Sequence, residues 1–352
     1  MKRPVFVVGC PRSGTTLLYS MLIAAGGFAA YRKETFFYVV AKRYAKLRRA
    51  AAKERFRREL LAGHLGRVRG LDVAPLIARV LAQCSTVNEV QPRLLDEITT
   101  SQGMERWVEA TPHHVLHMAD IARAVPEALF VHVIRDGRDC AISTAQKGWA
   151  PALPFDDKSD VSAAAVYWEW MVRAGRSYGA AHPSAYREVR FEQLVADPRG
   201  ELKALGAFID HDLDYDWILQ HPVHSLVMPN TSFRSERGRP EFAPVNRWKD
   251  PDSAERVRRC EDLVGPYLRE LGYPLSDAGS TRSTRAAARI KRSVYLTYFS
   301  GKHWLKVRSP MGRFMTSADA WATPPRADEA PVAGIPTRAS AAADPSCLTV
   351  TP

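Results

Sequence analysis

A group of polar residues close to the start of the chain could together hold an anion. The apolar stretch Val-Phe-Val-Val-Gly covers residues 5–9, and Cys-Pro-Arg-Ser-Gly-Thr-Thr follows it over residues 10–16. A loop between a strand and a helix turns its backbone N–H groups into a concave nest, and the helix N-terminus adds a positive dipole end. Hydroxyl donors and a cation reinforce this nest. We therefore predict an anion site formed by Arg12, Ser13, Gly14, Thr15 and Thr16.

The same loop lacks the lysine of the ATP-binding loops. Gly9 and Gly14 have the spacing of the G-x-x-x-x-G-K-[ST] pattern, but Thr15 stands where that pattern places its lysine. Nucleotide triphosphatases also place an acidic metal ligand on another strand, whereas the apolar run 129–134 is followed by Arg135. The residues favour a nucleotide that carries an additional phosphate and needs no metal.

Alternating strand and helix patterns must position these residues. Short apolar runs predict three strands, and apolar residues at helical spacing predict four helices. This alternation is typical of an α/β fold with a parallel sheet. The strands are expected at 4–9, 129–134 and 186–191, and the helices at 15–25, 140–147, 161–179 and 253–271.

Two segments resemble the sulfotransferases that use 3′-phosphoadenosine 5′-phosphosulfate (PAPS), in particular the glycan and protein-tyrosine enzymes. Residues 10–17 are similar to their 5′-phosphosulfate loop, and 131–143 to their strand followed by an arginine and, eight residues later, a serine. The resemblance covers about residues 4–250. It implies a P-loop-like three-layer sandwich with a central, mostly parallel sheet flanked by helices. It also implies that Arg12 faces the sulfuryl group, and that Arg135 and Ser143 bind the 3′-phosphate.

The resemblance also supplies candidates for the base that accepts the proton of the acceptor hydroxyl. Residues 31–37, Tyr-Arg-Lys-Glu-Thr-Phe-Phe, resemble family segments whose glutamate is the general base, which makes Glu34 the candidate. The alternative is a surface glutamate paired with a neighbouring cation. Residues 109–114 resemble a family segment that reads Lys-Thr-Pro-x-His, so His114 is a second catalytic candidate, although Ala110 replaces the lysine. A structural role is the alternative for His114 and for its neighbour His113.

Three further positions resemble nucleotide-binding residues. Phe191 falls where the family has a tyrosine near the adenine, and a simple core residue is the alternative. Arg247 and Lys249 fall on a late segment whose cation closes over the 3′-phosphate. Cations of the preceding loop could do the same, namely Arg234, Arg237 and Arg239. His113 and His117 have the spacing of metal ligands, but without a third ligand we expect no metal.

Charge is concentrated in two basic segments of the chain. The formal net charge is +12, while residues 42–69 and 282–313 each contribute +9, so the remainder carries −6. Such segments attract acidic polymers or anionic lipid. The segment 42–69 reads as an amphipathic helical insertion, and aromatic residues accompany the cations of 282–313, so we expect possible peripheral contact with an anionic membrane. The alternative is that both segments are merely solvated.

The composition divides the chain into three regions. We expect a sulfotransferase domain over 1–275 with the insertion 42–69, a basic aromatic extension over 276–320, and a disordered Pro/Ala-rich tail over 321–352. The five separate cysteines and the absence of a recognisable secretory signal favour a cytoplasmic setting. The sequence does not specify the oligomeric state.

The leading hypothesis is sulfuryl transfer from PAPS to a hydroxyl group of a carbohydrate, lipid or small metabolite, with release of PAP. A P-loop kinase or nucleotide triphosphatase is the alternative enzyme. A nucleic-acid-binding protein is a less favoured alternative, because no familiar nucleic-acid motif accompanies the basic segments.

Overall fold

The computed structural model describes most of the chain. The described residues are 1–31, 34–44, 47, 49–63, 66, 68, 71–153, 156–157, 160–221, 244–276 and 282–315. The expected tail and the arginines at 234, 237 and 239 lie outside these ranges.

Five parallel strands form the central sheet, and β1 (Val5–Gly9) is its middle strand. The order is β2-β3-β1-β4-β5, with β2 at Phe28–Ala29, β3 at Arg106–Glu109, β4 at Leu129–Ile134 and β5 at Tyr186–Arg190. Val5 pairs with Leu129 and Gly9 with Val133. All five residues of β1 are buried, as expected for a parallel strand covered on both faces. The predicted strands at 4–9, 129–134 and 186–191 are confirmed, whereas β2 and β3 were not predicted.

Helices cover both faces of the sheet and give the predicted three layers. Val5 and Val7 face one apolar core, while Phe6 and Val8 face the other, as the two-residue period of a strand requires. The helices are α1 Thr15–Ala25, α2 Phe37–Val40, α3 Ala50–Ala62, α4 Val73–Gln83, α5 Val87–Ser101, α6 Met118–Ala124, α7 Gly137–Gln146, α8 Val161–Ala181, α9 Phe191–Ala196, α10 Pro198–Ile209, α11 Tyr215–Gln220, α12 Ala254–Glu270, α13 Arg282–Arg308 and α14 Gly312–Met315.

The C-terminal extension is a docked helix. The Ser/Thr/Arg/Ala-rich composition of residues 276–293 by itself favours a linker or a loose helix. Helix α13 nevertheless runs unbroken for 27 residues from Arg282. Tyr295 and Phe299 are buried in the larger core. The Arg292 guanidinium donates to the buried Glu169 carboxylate at 2.6 and 2.7 Å. Helix α13 therefore belongs to the same folded body as the sheet.

The buried histidine of β4 makes stability depend on pH. His132 is fully buried, and its Nδ1 lies 2.6 Å from the Tyr186 hydroxyl. Burial, with smaller contributions from Arg176 and Arg190, lowers the pKa of His132 to about 3. In the unfolded state His132 therefore binds a proton near pH 6.5, whereas in the folded state it stays neutral until about pH 3. The stability of the fold therefore falls as the pH drops from 6.5 towards 3. At pH 5 this one histidine destabilises the fold by about 2 kcal/mol.

Between pH 7 and pH 5, we expect the free energy of unfolding to fall by about 2 kcal/mol less in His132→Gln than in the wild type. Denaturant titrations at both pH values measure the difference. His182→Gln, at an exposed position outside the sheet, is the control. Identical losses in wild type and His132→Gln would contradict the assignment.

Candidate functional site

The predicted anion loop, residues 10–16, lies at the topological switch point of the sheet, where the strand order reverses between β1 and β4. The chain leaves β1 towards β2 and β3, and it leaves β4 towards β5 on the other side. The loops that follow β1 and β4 therefore diverge at the carboxyl edge of the sheet. Crevices of this kind bind ligands in open α/β folds.

The loop after β1 has a backbone shaped by two residues with positive φ. Arg12 has φ 74° and Gly14 φ 100°, and the Ser13 N–H donates to the Cys10 carbonyl at 3.1 Å. A Cβ atom at Gly14 would lie 2.2 Å from the Phe191 ring. Only glycine allows this ring to approach the loop so closely. Phe191 is 1% exposed, and its position against the loop favours packing as its first role.

The arginines and the serine of the two motifs converge on one another. Arg12 Nε donates to Ser143 Oγ at 2.9 Å, which joins the first loop to α7. Arg135 Nη1 donates to the Arg12 carbonyl at 3.0 Å. The Arg135 guanidinium also lies over the Phe191 ring, 4.7 Å from its centroid. Arg12 and Arg135, 123 positions apart in the sequence, thus lie in contact with each other.

Positive charge accumulates around Arg12. Burial lowers the pKa of Arg12, the charges of Arg135 and Arg247 lower it further, and the charge of Glu34 acts in the opposite direction. The charges of Glu34 and Arg247 therefore both act on the Arg12 guanidinium. Mutually repelling cations at a partly buried site are stabilised by an anion placed between them.

An aspartate and a tryptophan place Arg135 and Arg247. Asp139 Oδ2 accepts from Arg135 Nη2 at 3.1 Å, and Asp139 Oδ1 accepts from the Trp248 N–H at 2.8 Å. The turn Arg247–Lys249 is thereby held beside α7. Lys249 lies on the same turn with its Nζ 5.5 Å from the Trp248 ring, and no described contact joins it to the loop.

The segment that contains Glu34 is anchored on both sides. The Tyr31 hydroxyl donates to the Val108 carbonyl at 2.6 Å, and the Thr35 N–H donates to the Glu109 carboxylate at 3.0 Å. Glu34 lies between these anchors and is partly exposed. Its position near Arg12 fits the expected neighbourhood of a base.

His114 differs from the expectation of a direct catalytic role. It is fully buried, its Nδ1 lies 2.7 Å from Glu109 Oε2, and its Nε2 accepts from the Tyr38 N–H at 3.3 Å. Because both ring nitrogens are engaged inside the core, no lone pair faces the site. The alternative interpretation, a structural histidine, agrees with this geometry.

Several residues that shape the site were missed by sequence reasoning. Arg138 is buried between Asp136 and Glu261, with a distance of 2.6 Å to each carboxylate, and its guanidinium lies 3.5 Å from the Trp248 ring centroid. Asp139 follows directly. The only signal in the sequence was the charge-rich turn Arg-Asp-Gly-Arg-Asp over 135–139. The sequence alone does not show which of its four charged side chains bind an anion and which form buried ion pairs.

The described residues fit an anion with several oxygens. Within these residues, Ser13 Oγ and Arg135 Nε are buried polar atoms with no hydrogen-bond partner. Buried donors of this kind normally have partners, and both lie in the predicted anion site. Among the same residues, no three His, Cys, Asp or Glu side chains are grouped so that they could hold a metal ion.

Known sulfotransferases are similar in sequence to this chain. A family model described as "Sulfotransferase family" matches residues 4–215. A "Putative protein-tyrosine sulfotransferase" of Caenorhabditis briggsae is 23% identical over 290 residues, covering 78% of this chain and 90% of that protein. Another, of Caenorhabditis elegans, is 23% identical over 190 residues, covering 53% of this chain and 72% of that protein.

Two solved structures resemble the chain at low sequence identity. The sulfotransferase domain from the curacin biosynthetic pathway is 16% identical with a TM-score of 0.49, covering 78% of this chain and 99% of that one. The sulfotransferase domain from the Synechococcus PCC 7002 olefin synthase is 16% identical with a TM-score of 0.44, covering 85% and 95%.

Proposed function

The chain belongs to the sulfotransferase family, and from this premise we propose that it transfers a sulfuryl group from PAPS to a hydroxyl acceptor, with Glu34 as the general base. The observation that carries the proposal is the convergence of Arg12, Arg135 and Ser143 at the carboxyl edge of the sheet, where the charge of Glu34 also acts on Arg12.

The donor site is assigned from the loop residues. Arg12, with the N–H groups and hydroxyls of Ser13 to Thr16, would hold the 5′-phosphosulfate, and Arg135 and Ser143 the 3′-phosphate. Arg247 is the cation that would cover the nucleotide, since its charge already acts on Arg12. When bound, PAPS supplies the sulfuryl group and a phosphate leaving group. A planar guanidinium at Arg135 suits a phosphate dianion.

The chain's own residues account for the remaining steps. Arg12 would stabilise charge that develops on the leaving side, and a preformed cation does so without reorganisation. Glu34 would accept the acceptor's hydroxyl proton, which requires a carboxylate within hydrogen-bond reach.

The acceptor of the sulfuryl group would be a hydroxyl compound. A hydroxyl of a carbohydrate, lipid or small metabolite is consistent with the partly exposed Glu34, and the names of the curated relatives add the phenol of tyrosine to the candidates. Incubation with ³⁵S-labelled PAPS and a panel of sugars, phenols, lipids and a tyrosine peptide tests the function. Label in an acceptor supports it, and label that never leaves PAPS while PAP still binds would limit the chain to nucleotide binding.

We also propose that the basic segments contact an anionic membrane surface from the cytoplasmic side. Helix α14 packs against the turn Ala41–Tyr44, so the two segments meet. Trp304 on α13 and Met311 and Phe314 at α14 are 57–77% exposed, in a segment whose sequence is rich in lysine and arginine. Apolar side chains surrounded by cations are typical of interfacial binding. Among the described residues, no helix has the length and hydropathy needed to cross a bilayer.

The membrane proposal predicts binding to vesicles containing phosphatidylserine. Burying a large apolar side chain is worth roughly 1.5–3 kcal/mol, so replacing both Trp304 and Phe314 by serine should weaken co-sedimentation about tenfold or more. Leu219→Ser, at another exposed apolar position on α11, is the matched control. Point variants are required because removing α13 would uncover the core. Equal co-sedimentation of the wild type and the double variant would contradict the proposal.

A further inference from the structure

A buried carboxylate stands behind the segment that contains Glu34. Glu109 ends β3 and is fully buried. Among the described residues it forms no ion pair with a lysine or an arginine, and its only charged or chargeable partner is His114. A buried carboxylate of this kind is costly unless hydrogen-bond donors replace its hydration.

Five hydrogen-bond donors replace the hydration of the Glu109 carboxylate. Oε1 accepts from the Thr35 N–H at 3.0 Å, the Thr35 hydroxyl at 2.9 Å and the Thr111 hydroxyl at 2.5 Å. Oε2 accepts from the Thr111 N–H at 3.0 Å and from His114 Nδ1 at 2.7 Å. Burial raises the pKa of Glu109, but the interactions with His114 and Thr111 outweigh it and hold the pKa below its usual value. Glu109 is therefore an ionised acceptor.

His114 connects Glu109 to the start of α2. Its Nδ1 lies 2.7 Å from Glu109 Oε2, and its Nε2 accepts from the Tyr38 N–H at 3.3 Å. His114 thus transmits the position of Glu109 to the start of α2.

The backbone after Glu34 is held at four consecutive N–H groups. The N–H groups of Thr35 and Phe36 each donate to Thr111 Oγ1 at 3.0 Å, and that of Phe37 donates to Thr35 Oγ1 at 3.3 Å. The Tyr38 N–H is bound by His114. Phe36 has φ 51°, a left-handed conformation that a bulky residue keeps only when its surroundings impose it.

We propose that Glu109 is a positioning residue for Glu34, acting through Thr111 and His114. Its carboxylate fixes the backbone of residues 35–38 and thereby the position of the adjoining Glu34, whose charge acts on Arg12. This inference rests on the proposed function for its kinetic consequence. The order of the backbone at residues 35–38 depends on Glu109 whether or not Glu34 is the base.

The first test is hydrogen–deuterium exchange of Glu109→Gln. The NH₂ group of the glutamine would face the donor groups of Thr35 and Thr111 or His114, so hydrogen bonds are lost. We therefore expect the backbone amides of residues 35–38 to exchange at least about tenfold faster. The loop 10–16 should exchange as in the wild type, and affinity for PAP should change less than about twofold. Glu105→Gln, at the exposed residue just before β3, is the matched control. Unchanged exchange at 35–38, or equal loosening of both regions, would overturn the proposal.

A second pair of variants applies if Glu109→Gln does not fold. Thr111→Val keeps the shape of the side chain and removes the acceptor for two amides, whereas Thr111→Ser retains it. We expect Thr111→Val to loosen residues 35–38 and Thr111→Ser to resemble the wild type. Matching exchange in these two variants would also overturn the proposal.

Kinetics separate this inference from the proposed function. With an acceptor that turns over, Glu109→Gln should lower kcat about 10- to 100-fold with KM for PAPS nearly unchanged, as misplacement of a reacting group does. In a Glu34→Gln background the same change should have little further effect, because the base is already lost. Full additivity would contradict positioning. An unimpaired Glu34→Gln would instead contradict the assignment of Glu34 as base.

Discussion

Glu34→Gln is expected to lower kcat for sulfuryl transfer by about 10²- to 10⁴-fold, the usual contribution of a positioned general base. Glutamine keeps the size and the polarity of the side chain but cannot accept the proton. Affinity for PAP should be almost unchanged, because the arginines around the loop remain in place. Single-turnover transfer from PAPS and calorimetric titration with PAP measure the two quantities separately.

Exposed glutamates provide the control for this change. Glu97→Gln alters a surface ion pair with Arg79 and should leave kcat within about twofold. A Glu34→Gln variant that transfers at the wild-type rate would remove Glu34 from the mechanism. One that loses PAP binding as well would indicate that Glu34 supports the loop through Arg12.

Arg12→Ala is expected to lower kcat by about 10²- to 10³-fold, the range found when a preorganised group that stabilises developing charge is removed. The same change removes the hydrogen bond to Ser143, so PAP should also bind more weakly. Arg12 differs from Glu34 in this respect, because it contacts both the loop and α7. Transfer kinetics and PAP titration on one preparation distinguish the two effects.

Arg199→Ala is the matched control, since this arginine is exposed and forms a surface ion pair with Asp216. It should retain wild-type transfer and binding. If Arg12→Ala weakened PAP binding while leaving kcat intact, the arginine would hold the nucleotide without stabilising the reaction.

Local patterns in the sequence were sufficient for the centre of the fold. The runs at 5–9 and 129–134 lie in the middle of a parallel sheet, where apolar residues are needed on both faces, so composition alone identified them. The glycine-containing loop and Arg135 follow these strands directly. Their convergence could be predicted because parallel strands bring their carboxyl ends to one edge.

The remaining features depend on contacts between distant segments. Strand β2 has only two residues and β3 contains Arg106 and Glu109, so neither shows an apolar pattern. Helix α13 is rich in cations, but it docks because Arg292 reaches a glutamate buried in α8. The sequence around His114 resembles that of a catalytic histidine. Its burial and its contact with Glu109 can be seen only in the folded structure.

The central claim is tested most directly by calorimetric titration with PAP beside ATP and Mg²⁺, for the wild type and for Arg135→Ala. Arg135 reaches the Arg12 carbonyl and Asp139, so it lies at the centre of the assigned nucleotide site. We predict tight PAP binding, weak ATP binding and at least about a tenfold loss of PAP affinity in Arg135→Ala, since a charged hydrogen bond is worth roughly 1.5–3 kcal/mol. Tight ATP binding without preference for PAP would contradict the assignment and would favour the alternative, a P-loop kinase or nucleotide triphosphatase.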